Sequence, residues 1–123
     1  MMRFTMSLNL AVWEGPTPRT DFDARAEFAR LYDSSKNSGL PTPAIVRYVE
    51  AVTAKYPCIC TLDDDSVDDG VWSDGPLINN ARGRLFYFGI VGSRFREVAP
   101  FAVSVAHEMG LVCFDPQSGA LIL

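Results

Sequence analysis

The chain is short of the residues from which most metal and nucleophilic sites are built. Its 123 residues include one histidine, His107, and three cysteines, Cys58, Cys60 and Cys113. A zinc-protease H-E-x-x-H motif needs a second histidine, and "HEMG" at 107–110 supplies only the opening pair. No G-x-S-x-G elbow and no glycine-rich phosphate loop is present. The cysteines are odd in number and sparse, and Cys58 and Cys60 are too close in sequence to bridge. A disulfide framework is therefore excluded, and reduced thiols in a cytoplasmic setting are expected. The opening "MMRFTMSLNLAVWEG" holds one arginine but no sustained apolar run, so neither a signal peptide nor a membrane span is expected. Met6 followed by Ser7 offers an alternative start, which makes residues 1–6 a flexible extension ahead of a single domain over 7–123.

An excess of positive charge is also missing. The formal net charge is −4, and such a chain gains little from releasing the counterions of a nucleic acid, which is not expected as a partner. The negative charge is concentrated in one place. "DDDSVDD" puts five aspartates, Asp63, Asp64, Asp65, Asp68 and Asp69, into seven positions. Subtracting those five from the 15 acidic residues leaves 10 against 11 basic ones, a nearly neutral body.

The acidic segment admits three roles. As an EF-hand loop it fails in register, because calcium loops need oxygen ligands at positions one, three and five and glycine at six. Counting from Asp63 puts Val67 at five and Asp68 at six. Counting from Asp64 puts Asp69 at six and Gly75 at twelve. As a solvated linker it needs no further explanation, since blocks of like charge repel and stay exposed. As an interaction surface it presents Asp63, Asp64, Asp65, Asp68, Asp69 and Asp74 to a basic protein, with Trp72 as an aromatic anchor beside them. A core lid is an equal role for Trp72.

Two further constellations bear on chemistry. Cys58, Cys60, Cys113 and His107 supply four soft ligands, but no C-x-x-C spacing occurs and His107 falls opposite the apolar stripe of its helix. Neither zinc nor another cofactor is expected. Glu14 ends one strand-like run and Asp115 another. If those strands were parallel neighbours, the two carboxylates would meet at one sheet edge beside Trp13 and Gln117, a pocket suited to acid/base work or ligand binding. A solvated Glu14 and a turn-forming Asp115 account for both residues equally well.

Periodicity sets the fold. "SLNLAVW" alternates as a strand, and Thr20 or Asp21 caps a helix with Phe22, Ala26, Ala29, Phe28 and Tyr32 on its apolar side. Thr42 and Pro43 open a second helix striped by Ile45, Val49, Val52 and Tyr56. "LFYFGIV" at 85–91 is apolar on both faces, as a central strand should be, with "NNARG" as the turn before it. A third helix carries Val98, Phe101, Ala102, Val105 and Met109 and stops at Gly110, and "LVCF", "DPQSG" and "ALIL" form a final hairpin. The expected class is α+β, a mainly antiparallel sheet with about three helices packed on one face.

"LAVWEGP", "GPLI" and "GLVCFDPQSG" together resemble a group of small uncharacterised bacterial proteins over most of the chain. Small α+β proteins of this type resemble the immunity proteins of polymorphic toxin systems. That resemblance implies a non-enzymatic protein that blocks a toxin domain by binding it, with an acidic face set against a basic active site. It carries no motif that assigns a binding residue, and it leaves self-association open.

Overall fold

A computed structural model describes residues 7–37, 39–57, 70–73 and 76–123. The expected N-terminal extension, residues 1–6, lies outside them, as does the short apolar run at 58–62. In chain order the elements are β1 (Ser7–Trp13), α1 (Asp21–Ser35), α2 (Pro43–Lys55), β2 (Ala81–Arg82), β3 (Leu85–Val91), α3 (Phe95–Glu108), β4 (Val112–Asp115) and β5 (Ala120–Ile122). Single 3-10 turns at Leu77–Asn80 and Gly92–Arg94 precede β2 and α3.

The five strands form one antiparallel sheet in the order β2-β3-β1-β4-β5. β1 lies in the middle, pairing Ser7 to Trp13 with Val91 to Leu85 on one side and Ala11 to Trp13 with Phe114 to Val112 on the other. β3 is interior as well, because its second edge is covered by β2 and by the segment around Trp72, which bridges to Ile90. The α+β class with an antiparallel sheet and three helices is thus as expected.

The placement of the helices is not. Leu10, Val12, Phe86, Phe88, Ile90 and Cys113 point to one face, where α2 and α3 cover them with Ile45, Tyr48, Val52, Val98 and Ala102. Ala11, Trp13, Leu85, Val112 and Phe114 point to the other, where α1 covers them with Ala24 and Leu31. The helices are therefore split two and one between the faces. The physical reason is that β1 is apolar at consecutive positions, so each face has side chains that must leave water.

α1 also turns a different side inward. Its cap is Thr20, whose hydroxyl accepts from the Asp23 N–H at 3.0 Å. Ala24, Phe28 and Leu31, spaced by four and three, form the packed stripe, while Phe22 is 71% exposed and Ala26 and Ala29 face solvent. α2 starts as expected, with the Thr42 hydroxyl accepting from the Ile45 N–H at 3.3 Å and Pro43 in the first turn. α3 follows its 3-10 turn directly, accepts Pro100 inside its first turns, and ends at Gly110 with φ 72°, a value an L side chain resists. The hairpin before β3 turns at Gly83 and Arg84 rather than across "NNARG", with Gly83 providing the positive φ of 57°.

Tyr48 joins the two helices that share a face. It is fully buried against Phe86 and Phe88, and its hydroxyl donates to the Ala102 carbonyl at 2.8 Å. Tyr48→Phe keeps the ring and removes that bond, so it should cost about 1 kcal/mol of unfolding free energy with an unchanged denaturant slope. A neutral or stabilising result in urea titration would mean that the hydroxyl does not tie α2 to α3.

Candidate functional site

The five clustered aspartates and Asp74 lie outside the described residues. What the structure describes is the frame on either side of residues 58–69. α2 closes at Tyr56, whose N–H reaches the Val52 carbonyl at 3.0 Å. On the return side, Val71 and Ser73 bond to the outer edge of β3, with Val91 N–H to the Val71 carbonyl at 2.8 Å and Ser73 N–H to the Gly89 carbonyl at 2.9 Å. Trp72 connects the two. Its ring is 1% exposed and meets Tyr56 and Phe88 edge-on, and its indole N–H donates to the Tyr56 carbonyl at 2.6 Å.

Trp72 therefore sits as the core lid and not as a ring open to solvent. It brings the end of α2 and the edge of β3 together, so that Tyr56 and Trp72, which bracket the acidic segment, are in direct contact. The surroundings are charged. The Lys55 ammonium lies 4.6 Å from the Phe101 ring centroid and 5.6 Å from that of Tyr56. Arg94 holds Glu97 by two bonds of 3.1 and 2.8 Å, and these keep the Glu97 carboxyl below its ordinary range.

The carboxylate pair does not assemble. β1 and β4 are neighbours, but they are antiparallel, so Glu14 follows the end of β1 that faces the start of β4. Asp115 stands at the other end of that pairing, roughly 13 Å of strand away. Glu14 is exposed, with its backbone tied to Arg84 through N–H to carbonyl at 3.0 Å and carbonyl to guanidinium at 2.8 Å. Trp13 is fully buried between Phe28 and Phe114, and its indole N–H has no hydrogen-bond partner.

Asp115 builds its own turn. Its Oδ1 accepts from the Gln117 N–H at 2.9 Å and from Nε2 at 2.5 Å, and its Oδ2 from the Ser118 hydroxyl at 2.9 Å. Gln117 does something the sequence did not suggest. Its amide accepts from the Asn9 N–H at 2.6 Å and donates to the Asn9 carbonyl at 2.8 Å, which extends the β4 side of the ladder by a side chain in place of a peptide.

Cys58 and Cys60 lie outside the described residues, and among the described ones no cluster of three or more His, Cys, Asp or Glu side chains is placed to hold a metal. Cys113 is 1% exposed, and burial pushes its thiol up to about 12. His107 is exposed, with Nε2 3.0 Å from the Ile122 carbonyl. No helix among the described residues is long and apolar enough to cross a membrane. Comparison with protein-family models, with curated proteins and with solved structures finds no match.

The Cys113 thiol links stability to pH. Unfolded, it ionises near its ordinary value of about 8.5, whereas the folded chain holds the proton up to about 12. Its contribution is complete below about pH 8.5 and is lost as pH rises above that, since only the unfolded state then releases the proton. The stability advantage of the wild type over Cys113→Ala should narrow between about pH 8 and 10, by at most about 1.4 kcal/mol per pH unit. A constant gap in denaturant titrations across that interval would show that the thiol ionises as readily in the folded chain.

Proposed function

We propose that the chain is a non-enzymatic, cytoplasmic protein-binding protein of the immunity type, which sets Asp63, Asp64, Asp65, Asp68 and Asp69 against a basic partner such as a toxin domain. The observation that carries this reading is the Trp72–Tyr56 contact. Five like charges in seven positions repel one another and add nothing to a core. The contact closes the core at Trp72 and at the same time holds both flanks of the segment close together, at the end of α2 and at the edge of β3. A fixed base limits the conformational entropy a binding segment loses on association.

The nearly neutral remainder of the chain supports the same reading, because it leaves the attraction concentrated in one segment. Such charge acts chiefly on the encounter rate and is screened by salt. The absence of an assembled carboxylate pair leaves the competing enzyme or ligand-pocket reading, based on Trp13, Glu14, Asp115 and Gln117, without a geometric basis.

Replacing Asp63, Asp64, Asp65, Asp68 and Asp69 together by asparagine should preserve the fold and hold or raise the melting temperature, since self-repulsion is removed. With a basic protein encoded by a neighbouring gene as ligand, stopped-flow association should slow by about tenfold or more at low ionic strength. The difference should shrink as salt approaches physiological strength. An unchanged on-rate in low salt would reduce the segment to a solvated linker. Unfolding of the variant, with stabilisation of the wild type by calcium, would make it a metal site.

A further inference from the structure

We propose that the groove between α3 and the β1–β4–β5 part of the sheet binds a small amphipathic monoanion, an apolar body with one carboxylate head. The groove is open along one side and has a volume of about 480 Å³, within the size range of small-ligand sites. Its walls are apolar: Leu10 from β1, Phe95, Ala99 and Val103 from α3, and Ile122 from β5. Phe95, Ala99 and Val103 repeat every four residues along the margin of the core face of α3, with Ala99 buried beside Val98, Ala102 and Ala106 and with Phe95 and Val103 half-buried.

The charges on the walls set the ligand class. Arg96 is the cation of the groove, and it is exposed. Arg30, Arg84 and Arg94 are engaged with Glu27 or Glu97, whereas Arg96 has no ion pair or hydrogen bond among the described residues. A guanidinium left open at the rim of an apolar groove recognises a carboxylate by two parallel N–H bonds. Asp115, also on the wall, has three hydrogen bonds from its own turn and little acceptor capacity left for a ligand. Its negative charge repels a second anion, so the head is directed to Arg96 and the apolar body lies along Ala99, Val103 and Ile122. One cation matches one negative charge, which disfavours a dianion. This site is independent of the acidic segment and of the reading built on it.

Decanoate, decanol and decylammonium, each below its micellar concentration, separate the contributions. Titration followed by amide NMR should show decanoate binding tightest, with shifts centred on Leu10, Ala99, Val103 and Ile122. Arg96→Gln, at an exposed position, should weaken decanoate by about tenfold or more and leave decanol unchanged. Val103→Trp should fill the groove and remove binding of both. Equal affinity for decanoate and decylammonium, an unchanged decanoate affinity in Arg96→Gln, or shifts centred outside the groove would each overturn the proposal.

Discussion

Everything in this fold is referred to β1, whose last four residues are buried on both faces and whose last three are paired at both edges. Leu10, Ala11, Val12 and Trp13 are 1% exposed or less. Residues Ala11 to Trp13 are paired on both sides, by β3 and by β4. A one-residue slip of β1 would exchange Trp13 with Val12 and drive an indole into the space between α2, α3 and Phe86. It would also leave a hole between Phe28 and Phe114 on the opposite face. The register is thus fixed from both sides, and the remaining elements are placed relative to it. The unpartnered Trp13 indole N–H marks the cost of this arrangement, since an unsatisfied buried donor forfeits about 1–3 kcal/mol. The large apolar ring is retained because its burial recovers a comparable amount.

The connections that hold the helices to this strand use backbone groups that a smaller sheet would leave open. The Thr42 N–H, at the start of α2, reaches the Gly83 carbonyl in the β2–β3 turn at 2.8 Å. Arg84, in the same turn, reaches the Glu14 carbonyl at 2.8 Å and Glu27 of α1 at 2.6 Å, so one side chain spans the end of β1 and the helix that covers it. Gly15 has a φ of 153°, which L side chains rarely adopt, and a Cβ there would also displace the guanidinium, 2.8 Å away. At the far edge, Asp21 accepts from the Leu121 N–H of β5 at 2.9 Å. An edge strand of three residues with a carboxylate on its outward N–H is a poor template for a further strand.

Much of this was legible in the sequence. Alternation identified β1 and β3, the Thr20 and Thr42 caps fixed where α1 and α2 begin, and Gly110 fixed where α3 stops. These are signals carried within one turn or one strand. The misplaced features depend on distant residues. Phe22, Ala26 and Ala29 have the spacing of a helix face, yet the stripe that packs is Ala24, Phe28 and Leu31, because those meet Trp13 and Phe114. The distribution of helices over two faces is implicit in the apolar run of β1 as much as in that of β3. Glu14 and Asp115 were joined by assuming parallel strands. The direction of β4 is set by its pairing with β1 and by the hairpin to β5, and neither residue carries a trace of that. Gln117 was recognised as a neighbour of Asp115, while its double bond to Asn9 is a contact across 108 positions.

Trp72 shows how one residue can close a core and join two distant backbone segments together. Its place beside five aspartates fits a surface anchor or a core lid equally, and in the fold it is a buried ring with its one polar atom satisfied by the Tyr56 carbonyl. The indole is suited to this because it covers apolar area on Phe88 while carrying a donor at its rim. Phenylalanine would cover most of that area but leave the carbonyl at the end of α2 without the bond. The same contact that closes the core beyond β3 therefore fixes where the chain departs from α2 and where it rejoins the sheet. The ends of α2 and of the 71–73 segment are thus held by packed and hydrogen-bonded residues on both sides of the chain between them.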